Sequence, residues 1–237
     1  MSARSVFLLG AMAVVLTAVG CAQPGRLTSS PPVVGAEAFT YEPMPRPVPH
    51  VPPKPAKPVV LRLRGPVIPE HDPAWEIHEP CRPWRFIVLH HSATHRGSAA
   101  SFDNWHRHHN GWDELGYHFV IGNGTGSPDG TIEIGTRWPK QKHGAHCRVG
   151  DDETYNNYGI GICLVGDFEK GRPTAGQMRS LARLVDYLAT VYRIPNERII
   201  GHGDVDQTKC PGRNFSFEDL FQRLHRRRAA REALVGR

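Results

Sequence analysis

The sequence offers no apolar run long enough to span a bilayer. The stretch Phe7 to Val19 is too short for a transmembrane helix. With Arg4 before it and the small residues Ala18 and Gly20 at its end, it reads as a secretory signal. There is also no basic stripe with interleaved aromatics. The formal net charge of +6 is spread along the chain, apart from Arg226-Arg227-Arg228. Such a chain is drawn to anionic polymers and surfaces, but nothing marks it for nucleic acid. No internal repeat is visible, which excludes a stacked-repeat architecture. No His-Glu-x-x-His pattern occurs, so a helix-borne metal pair with an adjacent glutamate base is excluded. Cysteine is scarce, with five in 237 residues, and each therefore needs its own account.

Proline, by contrast, is plentiful and unevenly placed. Pro43, Pro45, Pro47, Pro49, Pro52, Pro53, Pro55 and Pro58 alternate with Val, Lys, Arg and Ala. Fixed φ angles and missing donors make this an extended polyproline segment. At ~3.1 Å per residue, Glu42 to Pro58 would reach roughly 50 Å. Cys21 follows the signal directly, and Ala18-Val19-Gly20-Cys21 resembles a bacterial lipobox, in which that cysteine is lipidated. Ala22 after it suggests outer-membrane sorting. The expected organisation is a signal over 1–20, a lipidated N-terminus and proline-rich linker over 21–80, one folded domain over 81–225, and a basic tail over 226–237. Loss of Arg4 with the signal leaves the remainder one charge unit lower.

Within the domain, Trp84 to Leu89, Tyr117 to Ile121, Thr131 to Ile134, Tyr158 to Val165 and Arg198 to Ile200 read as strands. The run at Tyr158 to Val165 is apolar throughout, as a strand buried on both faces would be. Ser98 or Ser101 can cap a helix that turns Phe102 and Trp105 toward the core. Thr174-x-x-Gln177 is a capping box, followed by apolar residues at helical spacing from Met178 to Val191. Ser216 opens a last helix carrying Leu220, Phe221 and Leu224. Strands alternating with helices predict an α/β fold, a mixed sheet flanked by helices.

The chemistry concentrates at strand ends. Ile199-Ile200-Gly201 delivers His202, and Cys210 returns eight residues later, locked by Pro211-Gly212. One imidazole and one thiolate make half of a zinc site. A third ligand is expected at the end of the strand that runs into His90-His91. Side chains alternate along a strand, so only one of the two can reach the metal, and residue chemistry does not say which. The cluster His106-Arg107-His108-His109 reads as a solvated helix end, and Gly144 between His143 and His146 argues for a loop.

Six segments together carry a family resemblance. They are Val88-Leu89-His90-His91-Ser92-Ala93-Thr94, Gly111-Trp112 with Gly116-Tyr117-His118-Phe119, Gly144-Ala145-His146, Ile160 to Gly166, Gly201-His202-x-Asp204, and Thr208-x-Cys210-Pro211-Gly212. In order and spacing, over about Trp84 to Leu224, they resemble the zinc-dependent N-acetylmuramoyl-L-alanine amidases related to peptidoglycan recognition proteins and phage-type amidases. The resemblance implies His90, His202 and Cys210 as zinc ligands, with Tyr117 and Thr208 at the reacting centre. It implies peptidoglycan as the partner and cleavage of the amide between the muramoyl lactyl group and L-Ala. Gly159 departs from it, since relatives often carry Ser there.

From these residues, His146 is expected to contact substrate and Asp204 to orient the loop or a ligand imidazole. Lys209 lies one residue away from Thr208 and does not replace it. Cys163 reads as an inert buried thiol. Cys81 and Cys147 remain, in an oxidising compartment, and are expected to form a disulfide. The expected molecule is a monomer held by lipid at the periplasmic side of the envelope. Two other readings compete with the enzyme. One is a receptor that keeps the groove without the metal. The other is a structural zinc domain, which needs a fourth ligand such as His91 or His146.

Overall fold

Two apolar runs place the central strands. β1 (Phe86–His91) and β4 (Gly159–Leu164) are buried along nearly their whole length and pair in parallel. Neither has a polar face to give to solvent, so both must be covered on both sides. The computed structural model describes residues 67–78 and 81–235. The expected signal, Cys21 and most of the proline-rich linker lie outside the described residues. Among those described, no helix is long and apolar enough to cross a membrane.

β2 (Phe119–Ile121) lies parallel to β4, β3 (Ile132–Ile134) antiparallel to β2, and β5 (Ile199–Gly201) parallel to β1. The five-stranded mixed sheet has the order β3-β2-β4-β1-β5. Helices α1 (Ala99–His109), α2 (Thr154–Tyr158), α3 (Ala175–Val191) and α4 (Phe217–Val235) complete the chain. The fold is the expected mixed sheet flanked by helices.

The helix starts follow local chemistry. Ser98 caps α1, and Ser101 is its reciprocal partner in the capping box. Thr174 and Gln177 do the same for α3. Ile87, Leu89, Ile160, Ile162 and Leu164 join Leu181, Leu184 and Leu188 of α3 and Leu220 and Leu224 of α4 in the main core. Val120, Cys163 and Val165 form a second, smaller cluster with Leu115, against which Phe102 and Tyr117 pack. Since alternate residues face opposite sides, β1 sends Leu89 into the main core and His90 to the other face.

Several expectations need correction. The domain starts before residue 81, because Trp75 is buried and its carbonyl accepts from Trp138 Nε1 at 3.0 Å. It also extends past 225. Residues 226–235 are no free tail but the second half of α4, held by a carboxylate on α3. Asp186 is fully buried there, with Arg231 Nη1 at 2.7 Å and Arg227 and Arg228 Nε each at 3.4 Å. Trp105 does not enter the core. It is 54% exposed and stacks on His109 at 3.6 Å between ring centroids.

Candidate metal centre

His90 reaches the site because β1 ends there and the strand's alternation turns it away from the main core. His91 points the other way, where its Nδ1 accepts from the Phe168 N–H at 3.1 Å. The alternation in the sequence therefore resolves in favour of His90. Cys163 is its register partner on β4 and shares its face.

His202 and Cys210 come from the loop after β5. Asp204 Oδ2 accepts from Gly201 N at 2.7 Å, so of its two expected tasks it performs the loop-ordering one. Gly203 N–H donates to Cys210 O at 2.6 Å. A Cβ at Gly203 would stand 2.7 Å from Thr208 O and 2.8 Å from Cys210 O, so only glycine lets the loop return this closely. The Thr208 hydroxyl accepts from Cys210 N at 3.3 Å, and Cys210 Sγ accepts from His91 N at 3.4 Å. Backbone and hydroxyl together aim the sulfur.

One donor atom each from His90, His202 and Cys210 lies within 4.8 Å of the others. Among the described residues this is the one such convergence of three. His90 Nδ1 is 3.6 Å from Cys210 Sγ. His202 Nε2 is buried without a hydrogen-bond partner. Asp206 Oδ2 is only 3.2 Å from it, but off the line a hydrogen bond requires. Burial lowers the pKa of all three nearby imidazoles, His90, His146 and His202. It pushes the Cys210 thiol up to about 11, against the pull of the His91 N–H. Two neutral imidazoles, one of them with an unsatisfied buried nitrogen, and one sulfur form a three-donor set that fits zinc.

Tyr117 flanks the cluster, its ring centroid 5.2 Å from that of His90. Burial, followed by the nearby Cys163 and Cys210 sulfurs, raises its phenol well above the usual range. It is therefore a proton donor at neutral pH. A cleft of about 360 Å³ opens beside it, lined by Ser92, Thr94, Arg96, Trp105, His106 and Tyr117 among others. A larger recess of about 460 Å³, between His95, Asn123, Lys170 and Arg172, holds none of the three donors. The smaller cleft is not lined by the donors either, but Tyr117 in its wall connects it to His90.

His146 does not line that cleft. It is buried, with Nδ1 3.1 Å from His90 Nε2 and Nε2 3.2 Å from Gly159 O. Both ring nitrogens are engaged, which corrects the expected substrate contact. His106 is likewise no solvated helix end. It is buried, and its Nδ1 accepts from Gly116 N at 3.1 Å. Cys81 and Cys147 are both free thiols, so the expected disulfide is absent. Cys81 sits at the surface beside Tyr192, whereas Cys147 is buried, its N–H held by Asn156 at 2.9 Å. Sequence reasoning missed Asp206 and Asn156. The four-residue spacing from His202 to Asp206 was the available signal for the first.

The chain resembles known proteins over the region that carries this site. Residues 80–213 match the Amidase_2 family model, N-acetylmuramoyl-L-alanine amidase. Peptidoglycan recognition protein 1 of Bos indicus is 31% identical over 140 residues, which is 55% of this chain and 68% of that protein. An endolysin of Enterobacteria phage T3 is 33% identical over 133 residues, 53% of this chain and 78% of the endolysin. Among solved structures, the N-acetylmuramoyl-L-alanine amidase LysC of Clostridium intestinale is 35% identical with a TM-score of 0.52, covering 61% of this chain and 87% of that one. LysCS of the same organism is 33% identical with a TM-score of 0.52, covering 68% and 97%. With more than half of its length matched by the family model and its donor residues in place, the chain belongs to the N-acetylmuramoyl-L-alanine amidase (Amidase_2) family.

Proposed function

We propose that this protein is a zinc-dependent N-acetylmuramoyl-L-alanine amidase. It cleaves the amide between the lactyl group of muramic acid and L-Ala of the peptidoglycan stem peptide. The observation that carries the reading is the number of donors. His90, His202 and Cys210 converge, while His91 is turned away and both nitrogens of His146 are used. Three protein ligands mark a catalytic zinc, whereas a structural site is closed by four. The names of the amidase and peptidoglycan-recognition relatives support the substrate class.

When bound, zinc supplies Lewis acidity and a water acidic enough to attack at neutral pH. The chain's own residues do the rest. His90, His202 and Cys210 would hold the ion, with Tyr117 of the cleft wall beside His90. Tyr117 stays protonated and can donate its phenolic hydrogen to charge developing on the scissile carbonyl oxygen or to the leaving nitrogen. Thr208 accepts from Cys210 N, which leaves its own hydroxyl hydrogen to donate toward the reacting group. No carboxylate base is needed for these roles.

The anchor belongs to the same proposal: lipid on Cys21 places the enzyme at the periplasmic side of the envelope, in the outer membrane. Palmitate labelling of wild type but not of Cys21→Ser supports this, and equal absence of label removes it. The enzymatic reading is tested by digesting purified murein and identifying released stem peptides by mass spectrometry. Free L-Ala-terminated peptides from wild type, and none from Cys210→Ala, are expected. Murein binding with no peptide released would make the chain a receptor instead.

A further inference from the structure

His146 lies in a slot that only glycines leave open. A Cβ on Gly161 would stand 2.3 Å from His146 Cδ2, and one on Gly144 also 2.3 Å from the same atom. The residue's backbone is fixed as well. Its N–H donates to Asn156 Oδ1 at 2.8 Å, and the neighbouring Ala145 N–H donates to Gly116 O at 3.0 Å. The imidazole thus has one place to be, edge-on to His90 with ring planes 75° apart.

The two hydrogen bonds of this ring have a fixed direction. A carbonyl oxygen only accepts, so the 3.2 Å contact with Gly159 O puts the proton of His146 on Nε2. A neutral imidazole then has its lone pair on Nδ1. That lone pair faces His90 Nε2 at 3.1 Å and accepts a hydrogen bond from it. His90 must therefore carry its own proton on Nε2 and its lone pair on Nδ1, the nitrogen 3.6 Å from Cys210 Sγ.

We propose that His146 is a positioning residue: through the relay from Gly159 O to His90, it locks His90 in the tautomer whose Nδ1 faces Cys210 and the metal. This deepens the zinc reading above, on which its value to the enzyme rests. A metal-ligating histidine is commonly oriented by a carboxylate or a carbonyl on its other nitrogen. Here a neutral imidazole does that work, so it orients the ligand without adding negative charge to the site. The sequence feature that permits it is the pair of glycines, Gly144 and Gly161, on either side of the ring.

The test uses the full chain, with imidazole nitrogens labelled and their chemical shifts read first without metal. Wild-type His90 is expected to show a single Nε2–H tautomer. In His146→Leu it is expected to exchange between tautomers, and zinc affinity measured against a competing chelator is expected to fall about 10- to 100-fold. His146→Gln keeps one acceptor and one donor in the side chain and is expected to restore most of that loss, which a merely space-filling role would not produce. A wild-type His90 protonated on Nδ1, or a folded His146→Leu protein with unchanged tautomer and zinc affinity, overturns the proposal. A wild-type chain that shows the Nε2–H tautomer yet binds no zinc would instead remove the enzymatic reading and leave the relay standing.

Discussion

Two buried polar clusters in this molecule are assembled in opposite ways. Between α3 and α4, the Asp186 carboxylate meets three arginines from one helix, so the chain supplies both signs of charge. At the end of β1, His90, His202 and Cys210 bring together electron-pair donors from both ends of the domain, and the chain supplies no cation among them. Burying a charge is tolerated when a partner is built in. The first cluster is complete in itself and holds α4 in place. The second is a set of donors only, which is the arrangement the zinc proposal accounts for.

That contrast can be broken from either side. The largest expected effect is Cys210→Ala, which should abolish murein cleavage and zinc binding while leaving the unfolding midpoint of the metal-free chain nearly unchanged. Tyr117→Phe should lower kcat by about 10²- to 10³-fold, the usual loss for one oxyanion donor, with zinc content retained. Asp186→Ala should do the reverse. Three arginines would be left without their carboxylate, costing about 3 kcal/mol of unfolding free energy, at the lower end of the range because the arginines are partly exposed. Urea titration reads the stability, and metal affinity of the folded fraction should not move.

A third cluster sharpens the comparison through pH. Burial pushes the Glu114 carboxyl up, but hydrogen bonds from Thr136, Lys142 and Lys140 outweigh it and hold the group at about 2. A carboxylate depressed on folding contributes stability above its unfolded pKa of 4.5 and loses it as pH falls toward 2. Acid titration of Glu114→Gln followed by circular dichroism should show a weaker fall in stability across that window than wild type. The smallest effect is expected from Trp105→Ala. This exposed ring should leave stability within about 0.5 kcal/mol of wild type in a thermal melt.

The fold was legible where local chemistry decides it. The apolar runs of β1 and β4 and the capping boxes at Ser98 and Thr174 are signals of a few neighbouring residues. What escaped depends on distant partners. Arg231 binds a carboxylate 45 residues earlier, so the end of α4 read as a basic tail. The short helix α2 has no side-chain cap hydrogen bond to announce it. Counting cysteines pairs Cys81 with Cys147, yet both are free, one exposed and the other buried. At the site, strand alternation reduced the choice at His90-His91 to one residue without choosing, and the family pattern favoured His90. Nothing in Gly144-Ala145-His146 shows that the imidazole turns inward, because Gly161, which makes room for it, lies on another strand.

The central claim is that three residues hold a metal that the reaction requires. The direct measurement is murein cleavage by the full chain with zinc content determined in parallel, before chelation, after it, and after zinc is restored. The account predicts one bound zinc, activity that disappears with it and activity that returns with it. Undiminished cleavage by protein shown to be free of metal would contradict it.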